Sequence, residues 1–393
     1  MARILFAWEL GDNYGHLLRF RDLILALLAD GHEVVFYVKR LDLAQRIYGS
    51  HPVRLEPIPR YEAPPQKSGA TFDSFADILL RTAFHDVVMA RERVRHWQRI
   101  LSEERPATVL FDFSPTAMLA NRACRVPAIA CGNSFYNPPP VTPLPPYRFW
   151  CQHDRAALQH REMDLQSRLD LARPAGTPAI DSVAELFTTD RTLLHTFPEF
   201  DLFRGAAGRE YIGAFPPEQF GVSPPWPEVH GPRAFAYLQP SPNSRRLLAA
   251  LGDREISAVV YCPGLAEQGP PLPASPKLHY SKEPIAIEQV AKQCHIAITN
   301  GNLTTTVGLL LAGRPQLLLP YTLEKYLIAR CVELQGAGLA VGTGDPLLET
   351  KLDAVLRQRA YARGAESFAA RHAQLSPATQ VQALRKAIAE LTN

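Results

Sequence analysis

One feature at the start of this 393-residue chain constrains its fold more than any other. Within residues 3–38 come an apolar run, a glycine-bearing loop, a leucine-spaced helix and a second apolar run. Arg3–Trp8 (RILFAW) predicts a strand, and Glu9–Gly15 a loop rich in Gly, Asp and Asn. Residues 16–30 carry Leu17, Leu18, Leu23, Leu27 and Leu28 at helical spacing, and Gly31 ends the helix. Glu33–Val38 (EVVFYV) has the continuous apolar character of a strand buried on both faces. Strand, helix and strand in so short a space make a βαβ unit with a parallel pair and a right-handed crossover.

The alternation continues. Residues 71–104 predict largely helix, and ATVLFDF (107–113) a strand ending at Asp112. A helix follows, with Ser114 at its N-cap and Pro115 in its first turn, and then strand VPAIAC (126–131). The proline cluster NPPPVTPLPPY (137–147) excludes helix and central strand and predicts a loop or lid, with a charged helix after it at about 151–172. A second proline-rich stretch, 213–232, predicts an interdomain linker, because the α/β pattern restarts beyond it. RAFAYLQ, ISAVVYC, KLHYS, HIAIT and PQLLLP are its strands, and NGNLTTT is a turn into helix VGLLLAG. A single core rarely grows past about 250–300 residues, so two doubly wound domains are expected. We assign 1–212 to the first, 233–372 to the second, and 373–393 to a helix packing back on the first.

Composition removes several classes. A net charge of +3 lacks the concentrated basic stripe of nucleic-acid binders. The densest basic run, Arg91, Arg93, Arg95, His96 and Arg99, fits one solvated helix face, and leaves a peripheral membrane contact open. Six scattered cysteines (Cys124, Cys131, Cys151, Cys262, Cys294 and Cys331) form no Cys-x-x-Cys pair and read as free thiols of a reducing cytosol. The apolar start is too short for a signal peptide, and no run reaches the ~18–20 residues of a membrane span. A cytoplasmic protein of open oligomeric state is expected.

In open α/β sheets ligands bind beyond the carboxyl ends of the strands. GDNYGH (11–16) places His16 at a helix start, where it either caps the helix or serves as a base for a hydroxyl nucleophile. Asp112, directly after an apolar run, either caps the helix at 114–124 or orients that imidazole as the second half of a dyad. TNGNLTTT (299–306) offers Gly301, backbone N–H groups and the hydroxyls of Thr304, Thr305 and Thr306 to a diphosphate; capping by Asn302 or Thr304 is the plainer alternative.

Together these segments resemble the GT-B glycosyltransferases of the UDP-glucuronosyl/macrolide glycosyltransferase superfamily, over nearly the whole chain. ILFAWELGDNYGHLLRFRDLILALLADGHEVVFYV looks like that family's opening, and VLFDFSPTAMLANRACRVPAIA like its aspartate segment. HIAITNGNLTTTVGLLLAGRPQLLLPYTLEKYLIARCVELQGAGL looks like its donor-binding stretch. The resemblance implies two Rossmann-like domains facing a central cleft, acceptor on the N-terminal side and nucleotide sugar on the C-terminal side. It implies His16 as catalytic base and Asp112 as its partner. Four positions depart from the family. Asn300-Gly301-Asn302 stands for His-Gly-Gly, Gly308 for a ribose-binding glutamate, and Glu324-Lys325 for an Asp/Glu-Gln pair that grips the sugar. Lys282, before Glu283-Pro284, stands for the aromatic that stacks on the base. Gln239 and Pro284 complete the candidate donor set.

The expected activity is transfer of a sugar from a nucleoside diphosphate to a hydroxyl of a small-molecule or lipid acceptor, with inversion. No Asp-x-Asp metal–phosphate motif appears, so neither metal nor other cofactor is expected. Two rivals remain: a nucleotide-sugar epimerase or hydrolase on the same fold, and a catalytically degenerate GT-B protein acting as a binding partner.

Overall fold

Continuous apolar runs at the predicted strands become two wholly parallel sheets, because strands covered by helices on both faces need no polar side. The computed structural model describes residues 1–11, 14–59, 72–204, 206–217, 220–267 and 269–392. Asp12 and Asn13 of the first loop, Thr71 at the head of the helical stretch, and residues 218 and 219 of the proline-rich stretch lie outside the described residues.

The chain divides into two units: Met1–Gly213 together with the C-terminal stretch from Pro377, and Ala214–Ser376. The first holds strands β1 (Arg3–Trp8), β2 (Glu33–Val38), β3 (Arg54–Pro57), β4 (Thr108–Asp112), β5 (Ala128–Gly132), β6 (Arg191–Leu194) and β7 (Glu210–Tyr211). Their order is β3-β2-β1-β4-β5-β6-β7. The second holds β8 (Arg233–Tyr237), β9 (Ser257–Tyr261), β10 (Leu278–Ser281), β11 (Ile296–Thr299), β12 (Gln316–Leu318) and β13 (Gly338–Ala340), in the order β10-β9-β8-β11-β12-β13. Each sheet therefore reverses direction once, between β1 and β4 and between β8 and β11. Helices diverge to opposite faces at such a reversal and leave a crevice beyond the strand ends.

Three helical expectations change in detail. Residues 16–30 form two helices, Gly15–Leu18 and Arg21–Ala29, split by Arg19 and Phe20. The break drops the Phe20 ring into the core, 5.3 Å from Phe6 and 6.3 Å from Phe36. The stretch 71–104 is likewise two helices, Phe75–Arg81 and Val87–Glu104, and Asp86 caps the second by accepting from Met89 N. On that second helix Arg93 is buried and donates to Ala83 O, while Arg95, His96 and Arg99 stay exposed, so the basic run is not one solvated face. Third, NGNLTTT is a turn only up to Asn302: the helix is Leu303–Leu311.

The tail also divides. Helices Leu348–Arg357 and Arg359–Arg371 belong to the second unit, and only Pro377–Thr392 belongs to the first. Leu384, Ala387 and Ile388 enter the same buried cluster as Leu17, Phe20 and Leu27, and Gln380 Nε2 donates to Gly213 O. Leu384 and, one helical turn on, Ala387 and Ile388 thus help to close the first unit's core.

Ile388→Ala should lower the stability of the first unit by about 2–5 kcal/mol, read as a shift of its urea-unfolding transition. An unchanged transition would mean that the helix is not part of this core.

Candidate active site

Trp8 and Asp112 are register partners at the carboxyl ends of β1 and β4, so the residues that follow β1 meet the end of β4 at the sheet reversal. There His16 Nδ1 lies 2.9 Å from Asp112 Oδ2, and both side chains are almost wholly buried, at 3% and 1% exposure. Neither residue caps a helix. No side-chain cap bond is present at the start of Gly15–Leu18 or of Pro115–Cys124. The second carboxylate oxygen of Asp112 accepts from Arg19 Nη1 at 3.2 Å, and Arg19 Nε donates to Gly15 O at 3.1 Å.

Aromatic rings and two glycines shape the surroundings. The His16 ring stacks on Trp8, centroids 5.1 Å apart, with Tyr136 at 5.5 Å. Gly11 has φ +87°, and a Cβ there would fall 2.3 Å from His16 Nε2. At Gly132, φ +115°, a Cβ would press on Arg19 Nη1, Asp112 Oδ1 and Tyr136, each at 3.1 Å. Phe113, directly after Asp112, holds φ +50°, a left-handed conformation that costs a non-glycine residue about 1–3 kcal/mol. Leu10 N donates to Phe113 O at 3.1 Å and helps hold that conformation.

The electrostatics follow from this packing. Burial pushes the Asp112 carboxyl up, but the Arg19 guanidinium, His16 and, more weakly, His195 outweigh it and hold it below its ordinary value. His195 is buried beside them; burial first, then Arg19, pushes its imidazole down to about 3, so it is neutral. Glu9, read from the sequence only as a loop residue, is a buried carboxylate that does the capping expected of Asp112. It accepts from Thr116 N at 2.8 Å and Trp97 Nε1 at 2.7 Å, with a further bond from the Thr116 hydroxyl. Sequence reasoning missed Arg19 and His195. Arg19 stands three residues after His16 and was legible as its neighbour on one helical turn. His195 follows β6, far along the chain, and gave no signal.

In the second unit, Tyr237 of β8 and Thr299 of β11 are register partners, which sets Gln239 and the turn Asn300–Asn302 side by side beyond the sheet reversal. Asn302 holds the N-cap position of Leu303–Leu311 without a side-chain cap bond, and Thr304 and Thr305 are half-buried in the first turn. Asn300 and Thr306 are wholly buried; both amide atoms of Asn300 and the Thr306 hydroxyl have no hydrogen-bond partner. Gly301 has φ +84° and sits against Lys325, where a Cβ would meet the carbonyl oxygen at 2.8 Å. Lys325 is itself buried, its Nζ 4.4 Å from the centroid of the Tyr321 ring. Glu324, half-buried, precedes it in the first turn of helix Leu323–Leu334. At Gly308 a Cβ would fall 2.8 Å from Pro216, so that proline occupies the space of a longer side chain. Pro284 is half-buried and its carbonyl accepts from Val222 N at 2.8 Å, while Lys282 is exposed.

Among the described residues no group of three His, Cys, Asp or Glu side chains could hold a metal ion. No helix among them is long and apolar enough to cross a membrane.

Solved structures share this architecture along the whole chain. The glycosyltransferase VinC in complex with DTDP superposes with a TM-score of 0.70 at 16% identity, over 99% of this chain and 100% of the other. The glycotransferase of kitacinnamycin gives 0.68 at 17%, over 98% and 99%. The spinosyn rhamnosyltransferase SpnG complexed with thymidine diphosphate gives 0.66 at 17%, over 98% and 100%. The chain has the GT-B fold. At this identity the likeness establishes the fold alone. No family model matches the chain, and no curated protein matches it in sequence.

The Asp112 carboxyl ordinarily titrates near 3.8 and is held lower in the folded chain. Its pairing therefore contributes stability that is fully present above that value and is lost as pH falls through the folded value. The stability gap between the wild type and Asp112→Asn should be constant above about pH 5 and close below about pH 4, read from urea unfolding at each pH. A gap that stays constant down to about pH 3 would contradict the pairing.

Proposed function

We propose that this chain is a metal-independent, hexosyltransferase-type glycosyltransferase. It moves a sugar from a nucleoside-diphosphate donor to a hydroxyl acceptor with inversion. The observation that carries the reading is the buried His16–Asp112 pair, 2.9 Å apart at the sheet reversal of a GT-B fold. The first unit takes the acceptor, a small molecule or a lipid, and the second takes the donor. Nothing in the reading calls for nucleic acid, and a cytoplasmic enzyme with at most a peripheral membrane contact fits it.

The chemistry follows from the pair. Asp112 accepts from His16 Nδ1–H and so leaves Nε2 as the nitrogen that takes a proton. As the acceptor O–H bond breaks, its proton passes to Nε2 and its oxygen forms a bond to the anomeric carbon. The bond from that carbon to the diphosphate oxygen breaks on the opposite face, which inverts the configuration. The imidazolium that appears is stabilised by the Asp112 carboxylate. The departing diphosphate carries its charge to the N–H groups at the start of Leu303–Leu311 and to Thr304, Thr305 and Thr306. Asn300, Gly301 and Asn302 shape that turn. Glu324 and Lys325 stand for the sugar end, and Gln239 and Pro284 complete the donor set. Two of the solved structures hold a thymidine or DTDP nucleotide, which makes thymidine diphosphate the first ligand to test.

One observation favours a second reading, a GT-B protein that binds without catalysis. Asn300 takes the place of the histidine the resemblance implies, and Pro216 fills the space beside Gly308 where a ribose-binding side chain would reach. Calorimetry with thymidine diphosphate and other nucleoside diphosphates separates the two. The transferase reading expects micromolar-to-millimolar binding that Thr305→Val weakens, since each hydrogen bond to a charged oxygen is worth about 1.5–3 kcal/mol. If no nucleoside diphosphate binds at millimolar concentration, the non-catalytic reading takes its place.

His16→Ala should abolish transfer while donor binding and folding persist. Asp112→Asn should slow transfer by as much as ~10⁴-fold, the loss seen when the analogous carboxylate of a serine-enzyme triad is changed. Near-wild-type turnover in His16→Ala would remove the histidine from the mechanism.

A further inference from the structure

A third side chain, a permanent cation, joins the dyad. Arg19 Nη1 donates to Asp112 Oδ1 at 3.2 Å while His16 Nδ1 engages Oδ2 at 2.9 Å, so the two oxygens of one carboxylate are divided between a permanent cation and an imidazole. The guanidinium side chain is 13% exposed and the carboxylate 1%, so water screens this pair of charges little. Arg19 is held from its own chain by Nε donating to Gly15 O, and its guanidinium carbon lies 5.8 Å from the centroid of the Tyr136 ring. Gly132, where a Cβ would come within 3.1 Å of both Arg19 Nη1 and Asp112 Oδ1, is shaped to admit this contact.

We propose that Arg19 is a positioning residue of the dyad: it fixes the plane of the Asp112 carboxylate and offsets its charge, and so sets how readily the pair takes up a proton. The assignment rests on the reading of His16 and Asp112 as a general-base pair and adds to it a determinant of the pH at which that pair works.

The physical reason is a charge count. A lone buried carboxylate beside an imidazole strongly favours the imidazolium, and an imidazolium cannot take the acceptor's proton. A guanidinium on the same carboxylate offsets part of that pull, while the carboxylate still steadies the imidazolium that forms during transfer. Among the described residues, the other groups facing the site do not substitute for it. His195, from the segment after β6, is neutral, its imidazole pushed down to about 3 by burial and then by Arg19 itself. Burial pushes the thiol of Cys131, on β5, well above its ordinary range, so it is neutral too. Tyr136 presents its ring, and Trp8, on β1, carries no charge.

The test compares Arg19→Gln, which keeps a donor for Asp112 but loses the charge, with Arg19→Lys, which keeps the charge. Two readouts are taken on the full-length chain: the titration of the low-field Nδ1 proton resonance of the His16–Asp112 pair by NMR, and the pH dependence of transfer. In Arg19→Gln the titration midpoint of the pair and the acid limb of the rate profile should both move to higher pH by about one unit, as expected for loss of a nearby charge. In Arg19→Lys both should stay close to wild type. A midpoint unmoved in Arg19→Gln, or moved as far in Arg19→Lys, overturns the proposal. The resonance needs no turnover. If wild-type protein transfers no sugar, the transferase reading falls while the midpoint still decides the role of Arg19.

Discussion

A carboxylate with 1% exposure sets the terms for the rest of the first unit. A buried anion is tolerated only when paired and hydrogen-bonded, since removing one partner of such a pair costs about 3–5 kcal/mol. Asp112 obtains its partners from what the parallel sheet places at one edge: His16 and Arg19, both after β1. The backbone yields to this arrangement in three places. Phe113 takes a left-handed conformation, and Gly11 and Gly132 leave open the volumes that side chains would fill. Glu9 holds the start of the helix after β4, which frees Asp112 from capping it.

The second unit meets the corresponding position with different chemistry. Its sheet reversal carries no buried ion pair among the described residues named there. A glycine turn, a helix start, hydroxyls and the unpartnered amide of Asn300 take that place. Leaving a buried polar group unpaired costs about 1–3 kcal/mol, so this edge of the unit holds polar capacity that the fold itself does not use. The Lys325 backbone and Cβ lie under Gly301, and its ammonium sits against the Tyr321 ring. On the proposed reading, one unit moves a proton and the other receives an anion. Both chemistries stand at the reversal point of a doubly wound sheet, where helices diverge and backbone N–H groups face outward.

Much of this architecture was legible in the chain. Apolar runs without alternation announce strands covered on both faces, and their spacing with leucine-patterned helices announces parallel crossovers. Helix boundaries were less legible. The pattern over residues 16–30 gives no sign of the break at Arg19 and Phe20, because the break answers to core packing of the Phe20 ring against Phe6 and Phe36. The basic run at 91–99 misled in the same way: Arg93 faces Ala83 O inside the unit, and charge pattern does not record which donor finds an internal acceptor.

By itself the sequence determined that His16 and Asp112 each follow an apolar strand run, and that a glycine turn with threonines opens a helix near residue 300. Those are local properties, carried by residue type and by distance along the chain. The tertiary structure decided the rest. Pairing of β1 with β4 brings together residues 96 positions apart, at 2.9 Å. It then adds an arginine whose hydrogen bond is visible only once the carboxylate has a place, and a histidine just after β6 whose neutrality comes from burial. Burial and strand order are properties of the packed sheet, and no single segment carries them.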